Sequence, residues 1–266
     1  ALLQLAMNEG LIDAAIVSGQ NDEHECEGRF LDKREALRDY AQSRFFVSPT
    51  IAAFNRLPES DGRKIGVVAT SCQAIALAKM KTAKIDGYAK TQSLGLVIGL
   101  FCGWTLATDT FRQLLVQYGL PVTELRGMDI PAGKNVLELQ TPGESIEVPM
   151  TEVEACIRPA CRYCMDSTAE FADVSVGAAR YGDIDKVRGW NQMVVRSSRG
   201  EDLIRLAREK KILEIRQAPE QALRELKNAA AEKKKKALKN IMEKSGSKKN
   251  LLYLKSDDPV VKKYLK

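Results

Sequence analysis

Lys64-Ile65-Gly66-Val67-Val68-Ala69-Thr70-Ser71-Cys72-Gln73-Ala74-Ile75-Ala76-Leu77-Ala78-Lys79-Met80-Lys81 decides the fold. Lys64 to Thr70 is a short β-rich run that follows a turn at Asp61-Gly62. It stops at Ser71-Cys72-Gln73 and passes straight into a helix over Ala74 to Lys81. The plan repeats downstream. Val97 to Phe101 reads as a strand ending at Cys102, and a helix follows from Asp109 to Tyr118. Two strand–loop–helix units predict an α/β (mixed α+β) fold with a central sheet, flanking helices and cofactor chemistry at the strand ends.

Upstream, Leu2, Leu3, Leu5 and Ala6 give a helix that Asn8-Glu9-Gly10 stops, and Ala14 to Val17 extend into a strand. Residues 21–29 form a polar loop, and Arg34 to Tyr40 look helical. Ser48-Pro49 starts a helix through Leu57, with Ser48 as its N-cap. Downstream, residues 121–150 are β-like, with turns at Ala132-Gly133 and Pro142-Gly143. Val174 to Val176 and Met193 to Arg196 read as strands. Residues 201–210 and 218–243 read as helices, the second packing through Ala222, Leu223, Leu226, Ala229 and Ala230 with its lysines outward. Residues 244–266 read as a polar linker bearing an apolar patch, Leu251, Leu252 and Tyr253. The chain opens at Ala1 inside a helical pattern, so the natural protein is expected to continue upstream.

The 266 residues are 44% hydrophobic and 29% charged, as in a globular protein with a sizeable core. The net charge of +6 raises the question of nucleic acid. Much of it lies in Lys233, Lys234, Lys235, Lys236, Lys239, Lys244, Lys248 and Lys249, and the body is nearly balanced. Such a run reads as a solvated helix face, with no zinc-finger spacing or aromatic-rich basic strand beside it. Leu94 to Leu106, the longest apolar candidate, is too short for a bilayer and is broken by Gly99 and Gly103. The lone histidine, His24, sits in an acidic loop and reads as a surface residue. Without a Ser–His pair or a G-x-G-x-x-G loop, hydrolytic chemistry is disfavoured. A cofactor-borne reaction fits better.

The six cysteines carry the sharper signal. Disulfide staples are not needed in a chain of this size without secretory features. For any single cysteine, a buried inert thiol is the plain reading. Cys161-Arg-Tyr-Cys164 is a C-x-x-C after Arg158-Pro159, a spacing shared by redox dithiols and metal sites. Cys72 and Cys102 each stand where an apolar strand stops, and such ends lie side by side in an open sheet. A C-x-x-C loop crossing them completes a four-thiolate site. That set suits an iron–sulfur cubane or a zinc ion, and spacing leaves both open. Cys26 reads as a bystander, and Cys156 as a spare thiol near the site.

The segments around these cysteines resemble the beta-subunit family of hydrogenases and dehydrogenases that use coenzyme F420. The matching strings are Val67-Val68-Ala69-Thr70-Ser71-Cys72-Gln73, Gly99-Leu100-Phe101-Cys102 and Arg158-Pro159-Ala160-Cys161-Arg162-Tyr163-Cys164-Met165-Asp166. They continue into Ala169-Glu170-Phe171-Ala172-Asp173-Val174-Ser175-Val176-Gly177 and Gly189-Trp190-Asn191. Upstream, Ser43-Arg44-Phe45-Phe46-Val47-Ser48-Pro49 looks like the family's loop before its second domain. The likeness extends through about residue 245. Two departures stand out. The family's glycine-containing segment before the first helix, which helps hold the flavin, is not in this sequence, and its frequent Pro-Cys-Gln is here Ser71-Cys72-Gln73.

The resemblance implies an iron–sulfur flavoprotein with FAD and one [4Fe-4S] cluster on Cys72, Cys102, Cys161 and Cys164. It implies a hydride carrier such as coenzyme F420 on one side of the flavin and one-electron chemistry on the other. The implied partners are redox subunits of a hydrogenase, formate dehydrogenase or heterodisulfide-reductase-like complex. The residues themselves suggest no nucleic acid and no membrane span, and an oxygen-sensitive cluster without disulfides suits an anaerobic cytoplasm. The flavin candidates are Thr70, Ser71 and Gln73 beside the first ligand, Gly177, Ala178 and Arg180 after a strand, and Arg44, Ser48 and Trp190. Thr70, Ser71 and Gln73 could equally cap the following helix, and Trp190 could fill the core. The expected division is 1–60, an N-terminal α/β segment completing the flavin site; 61–200, the FAD and cluster core; and 201–266, C-terminal helices with a partner-docking tail. A cluster-only relay and a zinc-stabilised binding module remain the alternatives.

Overall fold

A computed structural model describes the chain except residues 22–24, 33–36, 59–61, 84–88, 132, 248–250 and 266. His24, Arg34, Asp61, Ala132, Lys248 and Lys249, all named above, lie outside the described residues.

Helix α1 (Leu2–Asn8) leads into strand β1 (Ala14–Gln20), which turns back as β2 (Cys26–Leu31). After α2 (Thr50–Asn55) come β3 (Ile65–Thr70) and α3 (Ser71–Thr82), then β4 (Leu94–Leu100) and α4 (Thr108–Gln117). Three short strands follow, β5 (Gly127–Asp129), β6 (Val136–Gln140) and β7 (Ser145–Pro149), with α5 (Met150–Val153) closing them. The chain then returns through β8 (Val174–Ala178), α6 (Ile184–Val187) and β9 (Asn191–Val195), and ends in α7 (Ser198–Glu209), α8 (Glu220–Ser245) and α9 (Pro259–Tyr264).

The main sheet has the order β2-β1-β3-β4-β8-β9. Its central strands β1, β3, β4 and β8 run parallel, and β2 and β9 flank them antiparallel. Alternation sorts the side chains between two layers. Ala15, Val17, Leu96 and Ile98 face α1 and α7, while Ala14, Ile16, Val67 and Val97 face α2 and α3. Leu94 and Val97 share a face although three residues apart. The register shifts between Ile65 and Gly66, and the extra residue, Gly95, forms a bulge that resets the alternation. The second sheet, β5-β6-β7, is antiparallel and closes over α4 through Phe111, Leu115, Leu137, Leu139 and Val148. No helix of the described residues is long and apolar enough to cross a membrane.

The structure corrects several local expectations. Ser48 does not cap α2. Pro49 stands at the N-cap, and the Ser48 hydroxyl donates to the Glu27 carbonyl at 2.8 Å. Helix α3 starts at Ser71 rather than Ala74, so Cys72 lies in a helical turn and not in an extended loop. The lysine-rich helix α8 packs mainly through its C-terminal half. Ala222, Ala237, Leu238 and Ile241 are buried, while Leu223 is 51% exposed. The last segment is no simple linker. It forms α9, and Leu251 and Val261 are buried against Leu238 and Ile241.

Candidate functional site

Cys72 is placed by the first turn of α3. Thr70 is the N-cap, and Gln73 reaches back to the Thr70 backbone N–H at 2.9 Å, forming a capping box. The Gln73 amide also donates to the Ser48 carbonyl, which ties α3 to the segment before α2. The Thr70 hydroxyl lies 3.5 Å from the Cys72 sulfur. Ser71 is buried and accepts the Ala169 backbone N–H at 3.1 Å. These three residues therefore fix the helix start and its neighbours.

Cys102 follows β4, and its N–H donates to the Ser167 carbonyl at 2.9 Å. The segment 102–107 then runs under the C-x-x-C turn. The Thr105 N–H donates to the Cys161 sulfur at 3.4 Å, and its hydroxyl lies 3.3 Å from the same atom. Cys161 and Cys164 sit in and just after a 3-10 turn, Pro159–Tyr163. Gly99 makes the close packing possible. A Cβ there would come within 2.5 Å of the Ala169 Cβ and 2.7 Å of the Ala172 Cβ, so only glycine lets the chain after Cys164 lie on β4.

These contacts bring the four expected cysteines within electrostatic reach of one another. Burial pushes the Cys102 thiol up to about 12, the ammonium of Lys233 opposes this, and Cys72, Cys161 and Cys164 raise it further. Cys164 is raised by the same burial and by Cys72, again against Lys233. Burial and the neighbouring sulfurs thus disfavour the thiolate form of Cys102 and Cys164, and a cationic occupant would favour it. Among the described residues, no three His, Cys, Asp or Glu side chains are arranged to hold a single metal ion.

The other two cysteines stand apart. Cys156 is buried in the core of the second sheet, its thiol 3.5 Å from the Thr110 carbonyl. Cys26 opens β2 rather than lying in a loop, and it lines a cavity of about 260 Å³. Three arginines, Arg44, Arg112 and Arg126, line the same cavity with Gln20, Gln42, Ser43 and the carboxylates Glu25 and Asp109, Glu25 lying 3.4 Å from Arg112. The segment of Arg44 and Phe46 also touches the one that follows Cys102. The Phe45 carbonyl accepts the Leu106 N–H at 2.7 Å, one residue from Thr105.

Of the expected flavin residues, Arg44 lines this cavity, held by a 2.9 Å bond from Nη1 to the Ser18 carbonyl. Gly177 lies within β8, and the space over its Cα is filled by the Phe101 ring, whose nearest atom would be 2.3 Å from a Cβ. Ala178 pairs with Asn191 across the β8–β9 ladder. Arg180 donates to the Ile130 carbonyl at 3.0 Å, and Trp190 carries the Arg216 guanidinium 4.4 Å above its ring. Sequence reading misses Thr105, Arg112, Arg126 and Lys233. None stands in a motif, and each is brought to its place by tertiary packing.

A family model describing the C-terminal part of the beta subunit of coenzyme F420 hydrogenase/dehydrogenase matches residues 62–221. The chain is 27% identical over 245 residues to the coenzyme F420 hydrogenase subunit beta of Methanothermobacter thermautotrophicus, covering 90% of this chain and 85% of that protein. It is 30% identical over 217 residues to the coenzyme F420-dependent sulfite reductase of Methanocaldococcus jannaschii, covering 76% of this chain but 33% of that protein. Its fold is similar to that of a chain in the F420-reducing [NiFe] hydrogenase complex of Methanosarcina barkeri. There the TM-score is 0.81 at 24% identity, over 91% of this chain and 83% of that chain.

Proposed function

Because the chain belongs to the coenzyme F420 hydrogenase/dehydrogenase beta-subunit family, we propose that it is an electron-transfer oxidoreductase subunit holding FAD and one [4Fe-4S] cluster. The observation that carries this reading is the meeting of Cys72, Cys102, Cys161 and Cys164 from three distant segments, with charges that act on one another. When bound, FAD would supply two-electron chemistry toward a hydride carrier, and the cluster one-electron chemistry toward other centres. Four thiolates could also hold zinc, and the family assignment is what favours the cluster.

The chain's own residues have divided tasks. Cys72, Cys102, Cys161 and Cys164 would hold the cluster. Thr105 supplies hydrogen bonds to one sulfur. Arg44, Arg112 and Arg126 would receive the anionic part of the flavin, since guanidinium forks match phosphate oxygens. The cavity is somewhat smaller than the roughly 300–1,000 Å³ of a site that encloses a whole ligand, so it would take a part of FAD. Gln73 ties the start of α3, which bears Cys72, to Ser48, next to Val47 of the cavity wall. The names of the relatives make coenzyme F420 the first carrier to test, and subunits of a hydrogenase-, sulfite reductase- or formate dehydrogenase-like complex the first partners.

Anaerobically purified protein should contain iron and sulfide in equal amounts together with flavin. Serine at Cys72, Cys102, Cys161 or Cys164 should remove the iron, and serine at Cys26 or Cys156 should not. A colourless protein containing zinc, or full iron in Cys102→Ser, would refute the assignment.

A further inference from the structure

The cluster site has a cover that lies after the family-matched residues 62–221. Helix α8 crosses the cysteine segments and donates to their backbone carbonyls one after another. Lys233 Nζ donates to the Cys102 carbonyl at 2.6 Å, Lys234 Nζ to the Met165 carbonyl at 3.2 Å, and Asn240 Nδ2 to the Arg162 carbonyl at 2.8 Å. From the tail that folds back on α8, the Tyr253 hydroxyl donates to the Tyr163 carbonyl at 2.6 Å. Below these bonds Leu238 and Ile241 bury themselves with Leu251 and Val261, against Tyr163 and Met165.

Helical spacing explains which lysine turns inward. Lys233, Ala237, Asn240 and Ile241 stand at i, i+4, i+7 and i+8, one face of the helix. Ala237 and Ile241 are buried, so Lys233 continues the buried stripe toward the sulfurs. Lys235, Lys236 and Lys239 lie off that face and are exposed. Lys234 is also drawn in, but its ammonium pairs with the Glu170 carboxylate. Lys233 is the lysine whose charge bears on both Cys102 and Cys164.

We propose that Lys233 is a positioning residue of the iron–sulfur site, whose ammonium, held on the Cys102 carbonyl by α8, raises the reduction potential of the cluster. The proposal rests on the cluster reading above. A four-thiolate cluster is an anion that gains one more negative charge on reduction, so a fixed cation nearby favours the reduced form. Cys102 and Cys164, on the α8 side, are half-buried, which limits the screening of that charge. Cys72 lies on the exposed side.

The test is a redox titration followed by electron paramagnetic resonance on anaerobic wild-type, K233Q, K233R and K235Q proteins, with iron and sulfide measured on each. Loss of one partly buried charge should shift the one-electron equilibrium about tenfold, or about 59 mV, toward the oxidised form. K233Q should therefore titrate at lower potential with its iron retained, while K233R and K235Q stay at the wild-type value. K233Q with full iron and the wild-type potential would overturn the proposal. If K233Q cannot keep its iron, K233R decides. Retained iron at the wild-type potential shows that the positive charge is what the site requires. Loss of iron in K233R as well makes the lysine purely architectural and ends the proposal. Wild-type protein without iron and sulfide would instead refute the cluster reading, a separate and earlier failure.

Discussion

The Thr105 hydroxyl and the Cys161 sulfur lie 3.3 Å apart, 56 residues distant in sequence, and the Thr105 N–H meets the same sulfur at 3.4 Å. A thiol could donate to the hydroxyl, but a ligating thiolate has no proton, so in the loaded site the hydroxyl must be the donor. Hydrogen bonds to cluster sulfurs favour the reduced, more negative form. Thr105→Val keeps the shape and the N–H and removes one bond, worth about 1 kcal/mol. The variant should hold full iron and titrate at a slightly lower potential. An unchanged potential would show that the hydroxyl does not face a ligated sulfur.

The core beside the site depends on a buried carboxylate. Asp173 is 5% exposed, accepts the Val97 N–H at 2.8 Å and the Ser197 hydroxyl at 2.5 Å, and pairs with Arg199 at 3.2 Å. It thus joins β4 to the start of α7 just after the cysteine segment. Arg199 is nearly half exposed, so the ion pair itself adds little. The cost of losing the carboxylate is mainly the unsatisfied Val97 N–H and Ser197 hydroxyl. Asp173→Ala should destabilise the protein by about 2–3 kcal/mol in chemical denaturation. Asp173→Asn, which keeps an acceptor, should cost less. Equal stability of Asp173→Ala and wild type would contradict this account.

Where the pattern is local, the sequence is readable. The runs at 64–70 and 97–101 correspond to β3 and β4, and the β-like stretch 121–150 holds the second sheet, because alternation and turn residues lie within a few positions of each other. Cys72 and Cys102 follow the ends of successive strands, and the parallel pairing of β3 and β4 does set those ends side by side. Lys233 reads as a solvent residue in the sequence. Its neighbours there are lysines, and only the burial of Ala237 and Ile241 four and eight residues on turns it inward. Gly177 reads as room for a pyrophosphate, yet the room is filled by Phe101, a residue 76 positions earlier that lies on the neighbouring strand's end. Arg112 and Arg126 carry no local sign of sharing a cavity with Arg44.

That cavity yields a prediction separable from the cluster. Arg44, Arg112 and Arg126 line it, while none of the four proposed cluster cysteines does. A hydrogen bond to a charged group contributes about 1.5–3 kcal/mol, so Arg112→Gln or Arg126→Gln should weaken flavin binding about 10- to 100-fold. Iron content should not change. Flavin retention after dialysis, read by absorbance beside an iron assay, checks both halves. Full flavin in an Arg112→Gln, Arg126→Gln double variant would place the cofactor elsewhere.

The tail beyond α8 supplies the last test. Its apolar patch, Leu251, Leu252 and Tyr253, suggests in the sequence a dock for a neighbouring protein. Leu251 is instead 1% exposed within the chain, packed with Leu238, Ile241 and Val261. Leu252 and Tyr253 stay exposed, and the Tyr253 hydroxyl holds the Tyr163 carbonyl inside the C-x-x-C turn. The segment therefore braces α8 against the cysteine loop from outside. Deleting 247–266 uncovers Leu238 and Ile241, each about 1.5–3 kcal/mol of burial when fully covered, and frees the turn that bears Cys161 and Cys164, two of the proposed ligands. The truncated protein should purify with less iron than wild type and lose the remainder faster in air. Leu251→Ala should move in the same direction by a smaller amount, with a destabilisation of about 2–5 kcal/mol. Wild-type iron content and air stability in the deletion would show that α8 covers the site without this brace.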